Sequence, residues 1–175
     1  MKALPEDAQH KTELGLVALG VPDPPAVAAR AAALRETMSR PEAGILVQEM
    51  VDGGVETVLS CLRQTDFGPV LTIGLGGIGI ELFRDVTHLA LPVDEAQVTR
   101  ALRDLKLWSL LEGWRGRPAA DVGALAHAAA RFGDRFLALP DVMEFELNPL
   151  LVMPRGEGVV ALDALVALES AADDS

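Results

Sequence analysis

Glu146 and Asn148 stand two residues apart in an aliphatic run, so on a strand their side chains leave the same face. Pro149 and the turn-forming Pro154-Arg155-Gly156-Glu157-Gly158 then predict a hairpin that brings Asp163, in Leu162-Asp163-Ala164, alongside them. Two carboxylates and an amide oxygen on one face are hard donors, a set that suits Mg²⁺ carrying nucleotide phosphates. The plainer reading is a surface Glu/Asn pair and a strand-end Asp.

A second group of candidate residues lies at the N-terminus. Lys2 and Lys11 bracket the polar stretch Glu6-Asp7-Ala8-Gln9-His10, where two ammonium groups could reach the phosphates of one nucleotide. A pair of solvated surface lysines accounts for them equally simply. His10 is either an ordinary surface histidine or a phosphoryl carrier, since neutral imidazole is available at physiological pH. Between the two groups, Gln48-Glu49-Met50-Val51 offers backbone to an adenine edge, and Glu56 offers a carboxylate to a ribose. Gly74 to Gly79 fits G-x-G-x-x-G letter for letter, but no βαβ unit surrounds it and no clear helix is expected at Gly79. A P-loop is excluded because Gly-Lys-Ser/Thr is missing. The glycines read as a tight turn or as a loop that a ligand approaches closely.

Several classes of function are disfavoured by composition. A formal charge of −11 argues against a nucleic-acid surface, which needs clustered Lys and Arg. Half of the 175 residues are hydrophobic and 23% charged, a globular balance, and aromatics at 4% leave a core of Leu, Val and Ala. The single cysteine, Cys61, forbids an intrachain disulfide and fits a reducing compartment. No apolar run approaches the length of a membrane span, so a cytoplasmic location without membrane contact is expected.

The elements that must position these residues follow from local signals. His10 to Val21 reads as a strand, and Asp23-Pro24-Pro25 as the cap and first turn of a helix carrying Val27, Ala31, Leu34 and Met38 on one stripe. Gly44 to Val51 reads as a buried strand broken by Asp52-Gly53-Gly54. Val55 to Gln64 and Pro69 to Leu75 read as a hairpin across Thr65-Asp66-Phe67-Gly68. Asp94 with Gln97 makes a capping box, and Val98, Leu102 and Leu105 continue that helix. After a loop at Gly113 to Pro118, Asp121 caps an Ala-rich helix reaching about Leu139, interrupted near Gly133. The succession predicts an α+β (mixed α/β) fold with antiparallel elements.

Taken in order, His10-Lys11-Thr12-Glu13-Leu14-Gly15, the run Gly44 to Val51 with its following Gly54-Val55-Glu56, Phe67-Gly68-Pro69-Val70, Gly74-Leu75-Gly76-Gly77-Ile78, Glu81-Leu82 with Asp85-Val86, Leu111-Glu112-Gly113 followed by Arg115-Gly116, and Glu146-Leu147-Asn148-Pro149-Leu150 with Leu162-Asp163-Ala164 form one string. It resembles the ATP-grasp domain of NDP-forming acyl-CoA synthetases over roughly residues 2 to 168. The resemblance implies an ATP-grasp fold of largely antiparallel sheets with flanking helices. It also implies a first lobe truncated at its N-terminus (residues 1–52) and a second subdomain over residues 53–175. The activity implied is formation of an acyl-CoA thioester from a carboxylic acid, coenzyme A and ATP, releasing ADP and phosphate through a histidine relay and an acyl phosphate. ATP and Mg²⁺ are the implied cofactors. The implied partners are CoA-binding and ligase domains of the same polypeptide or of a partner subunit.

Residue by residue, Lys2 resembles the family's strand lysine, Lys11 the phosphate-contacting lysine and His10 the relay histidine of one motif. Gln48, Glu49, Met50 and Val51 resemble the adenine hinge, Glu56 the acid that follows it, and Glu146, Asn148 and Asp163 the metal–phosphate face. Leu16 departs from a family glycine, and His88-Leu89 from an aromatic or aliphatic residue followed by Arg. The start at Met1-Lys2, within a strand, suggests a domain excised from a longer polypeptide and an isolated chain with little activity. Leu16 and the truncation leave an alternative in a non-catalytic nucleotide-binding or regulatory module of the same fold.

Overall fold

The computed structural model describes residues 1–4, 15–38, 42–77 and 79–169. They fall into two compact units, Met1–Asp52 and Gly53–Ser175.

In the first unit, β1 (Lys2–Ala3) pairs antiparallel with β2 (Ile45–Leu46), and Lys2 also bridges Val17. Backbone bonds of 2.9 Å from Ala3 N to Leu16 O and from Ala18 N to Met1 O hold that third segment in place. Helix α1 (Pro24–Thr37) starts as expected: the Asp23 carboxylate accepts from Ala26 N at 2.8 Å, and the prolines occupy the first turn. Ala3, Leu16 and Met38, with Ala43 and Ile45 packed on them, make a small core.

Two strand expectations fail here. The part of His10–Val21 that is described holds only the bridge at Val17, because Gly15 and Gly20 take positive φ and Leu19 is exposed. Gly44–Val51 contributes only the two residues of β2. Its partner β1 is equally short, so Val47 and Met50 lie 55% and 47% exposed instead of buried.

The second unit is a six-stranded antiparallel sheet ordered β5-β4-β3-β6-β7, with β8 also on β6. Its strands are β3 (Val55–Leu62), β4 (Val70–Leu75), β5 (Val86–Ala90), β6 (Val142–Val152), β7 (Val159–Ala161) and β8 (Ala164–Leu168). The hairpin across Thr65–Gly68 forms as expected, in register from Thr57↔Leu75 to Leu62↔Val70. One face packs on α3 (Glu95–Arg103) and α5 (Val122–Leu137), and the core lies between, around Leu59, Cys61, Leu71, Ile73, Val98, Leu102, Leu125 and Phe136. The capping box at α3 is complete: Gln97 N donates to Asp94 Oδ1 at 2.7 Å, and Asp94 N to Gln97 Oε1 at 2.8 Å.

Helix α5 is not interrupted at Gly133. That glycine is buried inside it, and an added Cβ would meet Leu91 Cδ2, so it is there for close packing rather than as a break. A short helix α2 (Gly79–Phe83) does open at Gly79, contrary to expectation. It leads into β5, which is antiparallel to β4, so no βαβ unit forms. Neither β5 nor α4 (Trp108–Leu111) is evident from sequence pattern.

Strand β6 also differs from expectation, since it runs through Pro149 to Val152 and the turn is made by Pro154–Gly158 alone. Thr57 pairs Leu150 while Leu59 pairs Leu147, leaving Asn148 and Pro149 together opposite Val58. This is a β-bulge, where a residue without an N–H is tolerated in a central strand. The extra residue keeps Leu150 and Val152 on the core face occupied by Phe145 and Leu147, although the spacing changes from two to three. The buried Thr57 hydroxyl donates to Leu150 O at 2.8 Å beside the bulge.

A candidate nucleotide and cation face

The sheet face turned away from α3 and α5 carries Glu144 and Glu146. Glu144, Glu146 and Asn148 alternate along β6, and Glu146 lies opposite Ser60 on β3 and Leu165 on β8. Asn148 N donates to Asp163 O at 3.2 Å, and Leu162 N to Pro149 O at 3.0 Å, where the chain passes between β7 and β8. The Asp163 carboxylate accepts from the following backbone, Ala164 N to Oδ1, at 3.0 Å, which fixes its orientation. Backbone bonding thereby ties Asp163 to Asn148, two residues along β6 from Glu146.

Burial holds the Glu146 carboxyl above its ordinary range; a side-chain hydrogen bond from Asn148 opposes this, and Glu144 adds to it. The Asn148 amide oxygen accepts from Gly77 N at 2.9 Å. The amide oxygen of Asn148 therefore faces the Gly77 backbone.

The glycine segment is packed on the chain itself. Gly76 N donates to Glu56 O at 3.1 Å, and Leu75 N to Asp85 O at 2.9 Å. A Cβ on Gly74 would collide with Asp85 O, one on Gly76 with the Thr57 backbone, and one on Gly77 with the Glu56 carboxylate. Gly77 also holds φ at +58°, which favours glycine. Leu75, Gly76 and Gly77 N–H groups thus bond to the protein, and the glycines admit neighbouring protein rather than forming an anion cradle. Glu56 meets this turn.

Alternate strands add a row that sequence reading missed. His88 pairs Thr72, Thr72 pairs Ser60, and Ser60 pairs Glu146, forming one line over four strands. At the usual strand spacing the line is about 14 Å long. His88 Nδ1 lies 2.9 Å from Thr72 Oγ1. The line depends on register between strands far apart in sequence, one of which, β5, is not evident from sequence pattern.

In the first unit Lys2 lies half-buried on β1. Gln48, Glu49, Met50 and Val51 follow β2 without regular structure, the first three exposed. His10 and Lys11 lie outside the described residues. Among the described residues no group of three or more His, Cys, Asp or Glu is set to hold a metal, and no helix is long and apolar enough to cross a membrane.

Comparison with known proteins agrees with this architecture. A profile described as an ATP-grasp domain matches residues 1–168. A trans-feruloyl-CoA synthase from an unknown prokaryotic organism is 39% identical over 126 residues, 72% of this chain and 18% of that protein. The beta subunit of an ADP-forming acetate–CoA ligase II from Pyrococcus furiosus is 29% identical over 175 residues, 97% of this chain and 74% of the subunit. A dinucleotide-forming acetyl-coenzyme A synthetase of Ca. Korarchaeum cryptofilum superposes with a TM-score of 0.83 at 31% identity, covering 97% of this chain and 75% of that one. That structure holds coenzyme A and Mg-AMPPCP, with a phosphohistidine segment pointing towards the nucleotide-binding site. The chain spans less than a quarter of the length of the first curated relatives it matches. With a matching profile over 168 residues and the fold shared at that level, the chain belongs to the ATP-grasp domain family.

Proposed function

We propose that this chain is the nucleotide-binding part of an ADP-forming acyl-CoA synthetase, joining a carboxylic acid to coenzyme A at the expense of ATP, with ADP and phosphate released. The observation that supports this reading is the backbone tie of Asp163 to Asn148, two residues along β6 from Glu146, in a chain whose relatives include ADP-forming CoA ligases. Two carboxylates are few for a cage of protein ligands. They fit Mg²⁺, which commonly takes one or two carboxylates and completes its shell with phosphate oxygens and water. When bound, Mg²⁺ neutralises phosphate charge and allows phosphoryl transfer to proceed.

The residues of this chain divide the remaining work. Lys2 and Lys11 contribute fixed positive charge towards the phosphates, and Gln48 to Val51 offer backbone groups to the adenine edge. Glu56 serves this face from the glycine turn, and Glu146 and Asp163 hold the cation. His10 takes part in the phosphoryl relay, which requires an imidazole nitrogen beside the phosphate-contacting Lys11. Acid and coenzyme A are handled with CoA-binding and ligase domains, in the same polypeptide or a partner subunit, in the cytoplasm.

Calorimetry with Mg-AMPPCP, on the chain alone and assembled with its CoA-binding and ligase partner, tests this. Binding should tighten on assembly, and acyl-CoA should form from at least one acid in a panel spanning acetate and hydroxycinnamates. His10→Ala should abolish that turnover while nucleotide binding persists. Failure to bind nucleotide in either form would sink the reading. Binding without ADP formation would favour a non-catalytic nucleotide-binding module.

A further inference from the structure

We infer that the outer edge of β8 is a docking edge for an extended apolar segment of another polypeptide, one with a basic residue at each end. The inference does not depend on the nucleotide reading. Strand β8 is Ala164-Leu165-Val166-Ala167-Leu168, without a charge, a proline or a polar side chain. One side of it is bonded to β6, yet Val166 is 51% and Leu168 66% exposed. Among the described residues no strand pairs its other side.

The bonding to β6 fixes which backbone groups the edge offers. Asp163 O accepts from Asn148 N at 3.2 Å, and Glu169 N donates to Asp141 O at 2.9 Å, so the odd positions turn towards β6. Alternation then turns the backbone of Ala164, Val166 and Leu168 outward. Ala164 N is taken by Asp163 Oδ1 at 3.0 Å, which leaves the Ala164 carbonyl and both backbone groups of Val166 and Leu168 facing out. Edges of this kind are blunted in natural sheets by Lys, Pro or a bulge. Strand β8 has none of these, since the irregularity in its pairing lies on the β6 side, between Val142 and Glu144.

Charge selects the occupant. Asp163 and Glu169 frame the apolar stretch. A second copy paired antiparallel through all three outward positions would centre on Val166. It would set Asp163 of each copy against Glu169 of the other, and like charges directly opposite are destabilising. The two acids thus act as gatekeepers against self-pairing. In a foreign strand of seven residues, the same register places the first and last residues opposite Glu169 and Asp163, where Lys or Arg completes two ion pairs. Its second, fourth and sixth residues fall opposite Leu168, Val166 and Ala164. Val166 shares its face with Phe145, so apolar side chains there extend the core. Recognition of this kind is strand addition, with main-chain bonds for affinity and alternate side chains for selectivity.

A synthetic peptide, acetyl-Lys-Val-Thr-Val-Thr-Val-Lys-amide carrying a fluorophore, tests the proposal by anisotropy on the full chain. It should bind about tenfold more tightly than the same peptide with Glu at both ends. Methylating the peptide nitrogens that face β8 should abolish binding, because the side chains stay while the main-chain bonds are lost. Val166→Pro removes an outward N–H from an edge strand, where proline is tolerated, and should weaken binding about tenfold with little change in unfolding temperature. If Val166→Pro does not fold, the methylated peptide carries the test on the unaltered chain. Peptide-induced shifts of its amide resonances should then centre on Val166 and Leu168. No binding at millimolar concentration, equal binding of the Lys and Glu peptides, or resonance shifts confined to other elements would overturn the proposal. So would a dimer at neutral pH, seen by sedimentation equilibrium and dissociated by Val166→Pro, since a second copy would then hold the edge.

Discussion

The Arg63 guanidinium lies 4.5 Å from the centroid of the Phe136 ring while bonding the carbonyl of the same residue at 2.8 Å. It also donates to Val142 O and Leu139 O at 2.9 Å each, closing the end of α5 against the start of β6. The last carbonyls of a helix have no partner within it, and a planar fork can reach several at once. Arg63→Ala is expected to cost about 2–3 kcal/mol, from charged hydrogen bonds and the ring contact together. Arg63→Lys should recover only part of this. Urea unfolding of the three proteins measures it, and an Arg63→Ala protein as stable as wild type would refute the capping role.

Glu146 leads to a prediction about pH. Its carboxyl is raised in the folded chain by burial, so the stability it contributes is present below the unfolded value, about 4.3, and is lost as pH rises through the folded value. Glu146→Gln never ionises. The variant should therefore unfold at a higher temperature than wild type at neutral pH, with the gap closing as pH falls towards about 4. Mg-AMPPCP should stabilise wild type more than the variant. Scanning calorimetry across pH checks both, and a gap that widens on acidification would contradict the burial argument.

Asp121 behaves in the opposite sense. Its carboxylate accepts from Ala124 N at 3.1 Å, Gly156 N at 2.9 Å and Gly158 N at 3.1 Å, joining the start of α5 to the β6–β7 turn. These backbone bonds, first of all that of Ala124, and Arg155 hold its pKa below the usual range. Its contribution is present above the unfolded value, about 3.9, and is lost as pH falls through the folded one. Asp121→Ala should lower the melting temperature at neutral pH, and the deficit should shrink in acid. A deficit independent of pH would point to lost packing instead.

Cys61 is fully buried on β3, and burial pushes its thiol up to about 12 despite the nearby Arg63. The thiolate is the reactive form, so at neutral pH the folded chain should resist alkylation. Iodoacetamide labelling followed by mass should show one modified cysteine in denaturant and almost none without it. Rapid labelling of the native protein would mean that β3 opens readily.

Local signals were the legible part of this sequence. Asp23, Asp94 with Gln97, and Asp121 each announced a helix start because capping acts over three residues. The strand that carries Glu146 and Asn148 was legible too, although the bulge at Asn148 was not. The glycines at 74, 76 and 77 were visible, but the reason for them was not, because Asp85, Thr57 and Glu56 meet them only after the strands align. The same holds for the Gly77–Asn148 bond and for the row from His88 to Glu146, both set by register. Gly133 misled because a glycine in a helix reads as a break unless the Leu91 side chain opposite it is known. His10–Val21 and Gly44–Val51 misled because strand character needs a partner of matching length, which β1 does not supply.

The bulge at Asn148–Pro149 absorbs one residue of β6 and so reverses the parity of the sequence across it. Ahead of it, odd positions (Phe145, Leu147) face the core; behind it, even ones (Leu150, Val152) do. Deleting Pro149 would bring the two halves into a single phase, with Leu147, Leu150 and Val152 in plain alternation on the core face and the bulge at Asn148 removed. A one-residue deletion here would thus leave the core pattern in place and act on the cation face, where Asn148 would lose its bulged position, while an exchange at Pro149 that preserves the spacing would leave both faces as they are.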